Sequence, residues 1–526
     1  MRNLKKVFAI GLSVLMLAGA LSACGGGGTA ASTAAAPAAE NAGGSEAPAA
    51  ESGKPVNIYV ESAINTLDPY KTTEYASCYI FNNIYETLIR VDENGQIIPW
   101  LAKEWTASDD GMTYSFTIQD GVKFQNGEEL KASDVAFSLN TAIASDNMSQ
   151  YCSMMDSAEA TGDYTFDLKL KTPYGALVSM LQNLYIVNEK FYSENDCYDK
   201  GCGTGAYILR DGAVDLATGI TCDAFADYHL GKPSIPEVNF KILNDSSTAR
   251  IQLESGELDF MMIYSVSDYK PLEETGEYTM ALVQAPHTAY IALNLEKEPM
   301  DNKAFRQALC YATDNESIIQ IAYEGLAEPA RALTGANSFG VDFTDATDFS
   351  YNIDKAKEKL AEAGFPDGIN LDDYGVLIDY IPGSYHEKIA NCLKDTWAKA
   401  GIQVSLRATE SVATEKGEHT MRTTGTDYRS DMSYMAGKYA SKNIGSSNYA
   451  FYKNDRVDEI FEICDASSDQ EERKKLYKEL TEIIVDDCPY IPIQHKMIPY
   501  AWNKDLNAKV YPSNECPYYV YEWSWK

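Results

Sequence analysis

A chain of 526 residues, 45% of them hydrophobic, is too long for a single hydrophobic core and implies at least two lobes. Its 77 acidic residues against 44 basic ones give a formal charge of −33, which argues against nucleic acid as a partner and against adhesion to an anionic lipid surface. Eleven cysteines with no CxxC pair, together with five scattered histidines, argue against a zinc site.

In chain order, the first residues read as an export signal. Arg2, Lys5 and Lys6 form a basic start, residues 7–20 are apolar, and Leu21-Ser22-Ala23-Cys24 follows. The last four residues resemble a bacterial lipobox, which implies that Cys24 becomes a lipidated N-terminus outside the cell. Residues 25–54 are almost entirely Gly, Ala, Ser, Thr and Pro with a few Glu, a composition that cannot bury enough apolar surface to fold and serves as a spacer. No later segment is long and apolar enough to span a membrane as a helix.

Residues 67–139 form a dense β-rich block. Asn94-Gly95, Asp110-Gly111, Asp120-Gly121 and Asn126-Gly127 are tight-turn dipeptides, and Met112, Tyr114, Phe116 and Ile118 alternate with polar residues as a half-buried strand requires. Ser133-Asp134 then opens a helix carrying Val135, Phe137 and Leu139. Beyond it, residues 165–170, 238–243, 258–263 and 290–295 read as strands, and a helix starts at Lys303. Three later helices have marked ends: one from Asp354 to Gly364, one from a Ser384/Glu387 capping box to Gly401, and one opened by Ser468 and Glu471. Cys197 and Cys202 flank a Gly-containing loop and could pair, whereas Cys310, Cys392 and Cys464 lie on apolar helical faces and read as buried thiols. Repeated β-then-α units make this an α/β chain.

Signatures of catalysis are absent: no Gly-x-Ser-x-Gly elbow, no His-Glu-x-x-His and no phosphate loop ending Gly-Lys-Ser/Thr. Gly201-Cys202-Gly203-Thr204-Gly205 lacks the spacing of a dinucleotide loop and reads as a structural turn. The chain is therefore read as a binding protein rather than an enzyme, and its 36 tyrosines, each an apolar ring with a polar tip, suit reversible capture.

The spaced blocks Leu67-Asp68-Pro69-Tyr70, Asn83-Ile84-Tyr85-Glu86-Thr87-Leu88, Pro99-Trp100-Leu101-Ala102 and Gly121-Val122-Lys123-Phe124 carry a resemblance. So do Gly203-Thr204-Gly205-Ala206-Tyr207, Ser255-Gly256-Glu257-Leu258-Asp259, Phe305-Arg306-Gln307-Ala308-Leu309 and Pro489-Tyr490-Ile491-Pro492. Together, from about Val56 to the C-terminus, they resemble the large extracytoplasmic solute-binding proteins of ABC importers, the dipeptide, oligopeptide and nickel family (family 5, cluster C).

The resemblance implies an α/β, bilobal type II periplasmic-binding-protein fold (cluster C) with an extra inserted subdomain. A signal (1–23) and a lipidated linker (24–54) would precede lobe I (55–85, 206–286 and 497–526), the inserted subdomain (86–205) and lobe II (287–496). It implies a monomer that holds a small molecule or short peptide without cofactor or resident metal, tethered by lipid to the membrane (at a Gram-positive surface, or in the periplasm). It would work with ABC permease and ATPase subunits. Short peptides are the expected cargo; a nickel complex, a sugar or an opine-like molecule, or a sensing receptor without transport, are the alternatives. Three segments would meet the ligand: Glu74, Tyr75 and Ala76; His287, Thr288 and Tyr290 where the chain enters lobe II; and Asp427, Arg429 and Asp431. In that last segment Thr426 replaces the family's tryptophan. Either Asp427 or Asp431, with Asp431 preferred, would hold a ligand amine, and Arg429 a ligand carboxylate.

Overall fold

The computed structural model describes residues 53–92, 96–263, 266–409, 421–427, 430–511 and 518–526. The export signal, Cys24, most of the linker, the Asn94-Gly95 turn and Arg429 lie outside the described residues.

Two long strands, Tyr278–Leu293 and Tyr490–Asn503, organise the rest. They run antiparallel from Tyr278 opposite Asn503 to Ala292 opposite Tyr490 and occupy the middle of an eleven-stranded mixed sheet. At roughly 3.3 Å per residue a 16-residue strand is about 50 Å long, enough to serve two cores in succession. Its N-terminal half is only partly buried, whereas residues 288–293 are buried throughout. Between Gln284 and Thr288 the pairing slips, and it slips again between Ala289 and Tyr290. Such bulges bend a strand and raise its twist, so the two halves of the sheet need not share a plane.

On one side of this pair the sheet continues through Phe260–Met262, Val56–Val60, Glu237–Ile242, Gly219–Ala224 and Tyr207–Asp215. On the other it continues through Met421–Asp427, Leu377–Tyr380 and Ser405–Ala408. Each wing contains parallel pairs, Val56–Val60 with its two neighbours and Leu377–Tyr380 with its two, as helical crossovers demand. In the second wing both faces are covered: Ala289, Ile291 and Leu293 enter one apolar core, and Tyr290 and Ala292 the other. That is why this stretch reads as a continuous apolar run rather than an alternating one.

Residues between the first and second strands of the first wing build a four-stranded antiparallel sheet: Ala102–Ala107, Thr113–Ile118, Thr165–Leu170 and Met155–Ala160 in the order 102–107, 113–118, 165–170, 155–160. Helix Ala132–Ile143 packs on it. The turns at Asp110-Gly111, Asp120-Gly121 and Asn126-Gly127 form with φ of +66°, +73° and +86° at the glycines, as the dipeptides predict. Met112 falls in the turn, one residue before its strand. One contiguous apolar core joins this sheet to the first wing and includes Tyr114, Phe116 and Leu139 as well as Ile58, Phe240 and Trp523.

The chain leaves for this segment at Ile84–Tyr85 and returns at Gly203–Tyr207, and the two passages press backbone to backbone. A methyl group on Gly205 would lie 2.6 Å from the Asn83 carbonyl oxygen, and one on Gly203 within 2.2 Å of that of Ile84. The glycines of this turn are thus required by close approach. Just beyond the neck, Glu86 is buried and accepts from Trp100 Nε1 (2.7 Å) and Tyr228 Oη (2.8 Å), with His229 Nε2 at 3.1 Å. Burial opposes its charge, but the His229 hydrogen bond and the Arg90 charge hold its pKa below the ordinary value. Arg90 in turn lies between the rings of Trp100 and Tyr519, 3.6 and 3.7 Å from their centres.

Helix starts differ from the sequence reading where a neighbouring residue offers the better acceptor. Asn352 rather than Asp354 caps Ile353–Glu362, Asp469 rather than Ser468 caps Gln470–Asp487, and Asp134 accepts from the Lys131 amide at the head of Ala132–Ile143. Ser384 does cap Tyr385–Lys399. Cys197 and Cys202 are separate buried thiols, which burial raises to about 11, and Cys310, Cys392 and Cys464 are buried.

Gly205→Ala is expected to cost about 1–3 kcal/mol in urea unfolding, the usual penalty of forced overpacking. Gly437→Ala, where the nearest atom to the added carbon is Ser447 Oγ at 3.4 Å, is the control and should stay close to wild type.

Candidate functional site

The bulge between Gln284 and Thr288 places His287 at the crossing between the wings, directly opposite Asp427 on Met421–Asp427. His287 Nδ1 and Asp427 Oδ1 are 2.9 Å apart, and the carboxylate side chain keeps 56% of its surface exposed. Gly425 makes room for this pair, since a methyl group there would stand 2.6 Å from His287 Nε2. The pair is therefore a solvent-facing acid, oriented by an imidazole, where the two lobes meet.

Asp431, the acid preferred from the sequence, points the other way. Arg473 Nη2 donates to both its oxygens at 2.9 Å, each side chain is only 1% exposed, and Asp431 Oδ1 also accepts from the Ser433 amide at 2.9 Å. Burial opposes the Arg473 charge, but the Asp431 carboxylate outweighs it and raises the guanidinium pKa. Of the two candidates, then, Asp431 is an internal counter-ion and Asp427 the accessible acid.

Thr288 and Tyr290 lie inward. The Thr288 hydroxyl is 2.9 Å from His495 Nδ1, both residues being buried, and Tyr290 packs edge-on against Tyr490 with ring centres 5.2 Å apart. Glu74 and Tyr75 are exposed at the head of helix Tyr75–Ile84, while Ala76 is buried in the first-lobe core. The structure thus brings His287 and Asp427 together, and places Glu74 and Tyr75 on the other lobe.

Three features had no sequence signal. The first is a set of imidazoles: His386, at the start of helix Tyr385–Lys399, and His495 both feel the charge of His287. The second is a cationic pair on one ring, with the Arg422 guanidinium 5.1 Å and the Lys438 ammonium 4.8 Å from the centre of Tyr449. Burial first, and then the Arg422 charge, push the Lys438 ammonium down to about 8, while Asp427 pulls it upward. The third is a contact of the 102–187 segment with the second wing: Gln182 Nε2 donates to Ser430 Oγ (2.6 Å) and the Gly175 amide to the Asp465 carbonyl (2.8 Å). A partly open cavity of about 660 Å³ lies elsewhere, lined by Asn315, Arg331, Ser350 and Cys488. We place the site at the crossing because the accessible acid is there. Among the described residues no cluster of His, Cys, Asp or Glu is arranged to hold a metal, and no helix is long and apolar enough to cross a membrane.

Comparison with known proteins identifies the family and the fold. The family model described as "Bacterial extracellular solute-binding proteins, family 5 Middle" matches residues 96–446. The glutathione-binding protein GsiB of Salmonella typhi is 26% identical over 481 residues, 87% of this chain and 92% of that protein. Among solved structures, HbpA2 from Haemophilus parasuis matches with a TM-score of 0.80 at 24% identity, over 90% of this chain and 100% of the other. The oligopeptide-binding protein AppA from Bacillus subtilis, in complex with a nonapeptide, matches with a TM-score of 0.63 at 25% identity, over 90% and 99%.

The buried imidazoles set an acid dependence. His386 and His495 are depressed to about 4, by burial first and then by the charge of His287. Unfolded imidazole titrates near 6.5. Between about pH 6.5 and 4 the unfolded chain therefore binds protons that the folded rings do not, and stability falls as the pH falls. Asp465, raised to about 6 by burial, acts in the opposite sense as the pH drops through 6. Replacing His386 with Phe is expected to shift the Tm difference between variant and wild type in the variant's favour from pH 7 to 4.5. A difference that does not change with pH would contradict the assignment.

Proposed function

The chain belongs to family 5 of the bacterial extracellular solute-binding proteins, with the family's two-lobed type II α/β fold, and from that premise we propose that it captures short peptides between its lobes. It is the substrate-binding component of an ABC importer and not a catalyst; it delivers its ligand to a permease powered by ATPase subunits. The lobes are residues 55–85, 206–286 and 497–526 on one side and 287–496 on the other, with 86–205 inserted into the first. The bulged crossing strands act as the hinge, and ligand binding favours the closed arrangement.

The observation that carries this reading is the exposed Asp427 carboxylate, aligned by His287 at the crossing. A carboxylate held in this way suits a ligand ammonium, a charge-assisted hydrogen bond that contributes about 1.5–3 kcal/mol. One relative binds glutathione and one structural neighbour an oligopeptide, and both ligands are peptides. Glu74 and Tyr75 approach the ligand from the first lobe and Arg429 from the second. The mature protein is a monomer tethered through lipidated Cys24, with residues 25–54 as the spacer between membrane and lobes.

Mass spectrometry of ligand released from the purified, denatured protein tests the cargo: mixed short peptides support it, and a single non-peptide species refutes it. Asp427→Ala is expected to weaken peptide binding at least tenfold with little change in Tm. Asp431→Ala instead leaves Arg473 buried without its counter-ion, and is expected to cost about 3–5 kcal/mol of stability. The reverse pattern would exchange the two roles. Cys24→Ala is expected to release the protein from the membrane fraction into the medium; retention in the membrane would refute the anchor.

A further inference from the structure

Two thiols far apart in sequence meet in the second lobe. Cys310 lies near the end of helix Lys303–Ala312, and Cys488 caps the C-terminus of helix Gln470–Asp487, just before the crossing strand Tyr490–Asn503. One turn before Cys310, Arg306 Nε donates to the Asp487 carbonyl (2.9 Å) and Gln307 Nε2 to that of Asp486 (2.8 Å), so the helix is held to the stretch that carries Cys488. The two thiols are hydrogen-bonded to each other, and the Arg306 charge acts on both. Cys310 and Cys488 also share the wall of the partly open cavity of about 660 Å³.

The backbone at Cys488 is left-handed, with φ of +46° and ψ of +52°. Glycine or asparagine fits that place at a helix end, and any other side chain is held there at a cost. An outlier of this kind points to a use for the side chain. Burial pushes the Cys488 thiol well above its ordinary range, which keeps the pair as thiols rather than as metal-binding thiolates, and no third ligand stands by among the described residues. The family is extracellular, where neighbouring thiols meet oxidants and disulfides persist.

We propose that Cys310 and Cys488 are an oxidisable pair that closes to a disulfide and fastens the second lobe to the root of its crossing strand. The oxidant is a low-molecular-weight disulfide, RSSR, admitted by the cavity. Cys310, 7% exposed against 2% for Cys488, is the thiol it meets first. Cys310 gives up its proton, its sulfur attacks RSSR, and a mixed disulfide forms with release of one RSH. The Cys488 sulfur, losing its own proton, then attacks the Cys310 sulfur and releases the second RSH. Both electrons pass to RSSR, which leaves as two thiols, and Arg306 steadies the negative charge that develops on either sulfur. The bond joins residues 178 positions apart and so removes much of the freedom of the unfolded chain, while Gln284–Thr288 stays outside the closed loop.

The test incubates the purified, reduced protein with hydroxyethyl disulfide, alkylates the remaining thiols in denaturant and maps the tryptic peptides by mass spectrometry. Wild type is expected to yield the Cys310 and Cys488 peptides joined, lighter by two hydrogens than their sum, and to gain about 5 °C in Tm, a gain that dithiothreitol reverses. Cys310→Ser is expected to give no joined peptide and no gain. Cys488→Gly, which suits the left-handed position, is expected to fold at least as well as reduced wild type and to stop at the mixed disulfide on Cys310. Wild type in which both thiols are alkylated, in which Cys310 stops at the mixed disulfide, or in which either thiol joins another cysteine would overturn the pairing. A joined pair with no gain in Tm would overturn the fastening role.

Discussion

Everything functional in this molecule depends on one antiparallel pairing, that of Tyr278–Leu293 with Tyr490–Asn503. Because the pair belongs to both wings of the sheet, the lobes are joined by backbone hydrogen bonds and not merely by a linker. Because it is bulged at Gln284–Thr288, and again between Ala289 and Tyr290, the ladder is interrupted at the crossing, where bending costs least. The same interruption puts His287 opposite Asp427. The proposed hinge and the accessible acid thus share one stretch of strand.

Around that crossing the protein handles charge in three ways. Asp431 and Arg473 are buried together, two charges whose removal from water is offset by their contact and whose separation would be costly. Asp427 is left accessible, with His287 for orientation. Lys438 is withdrawn from water beside Arg422. The overall charge of −33 conveys none of this, since it does not say which charges are buried and which exposed.

Much of the frame was legible in the sequence because its signals are local. Turn glycines, the cap at Ser384 and the strand read at 290–295, which ends at Leu293, each follow from residues within a few positions, and the spaced blocks identified the family. Helix starts shifted by a residue or two because Asn352 and Asp469 competed successfully with their neighbours for the same amides. The site was harder to read for a different reason. Asp427 and Asp431 are four positions apart, and only the approach of Arg473, 42 residues further along, decides which is internal. Thr288 and Tyr290 were drawn in by proximity to His287, but both side chains point away from it into packed surroundings. Lys438 sits on one turn of helix, too short to show periodicity, and its neighbours Arg422 and Tyr449 lie 16 and 11 residues away in sequence.

The core shared between the first wing and the segment that enters at Ile84 and returns at Gly205 bears on kinematics. A segment of that size hung on two flexible strands would add a third independent body, with rotations of its own to be arrested at each capture. Welded through Glu86, Arg90 and the glycine neck, it adds surface but no degree of freedom, so it would follow the first wing in any motion at the proposed hinge. On the proposed hinge, an angular change at Gln284–Thr288 would be read out where Gln182 and Gly175 meet Ser430 and Asp465. That contact, made or broken as a unit, would give a docking permease a direct report of whether the proposed hinge is closed.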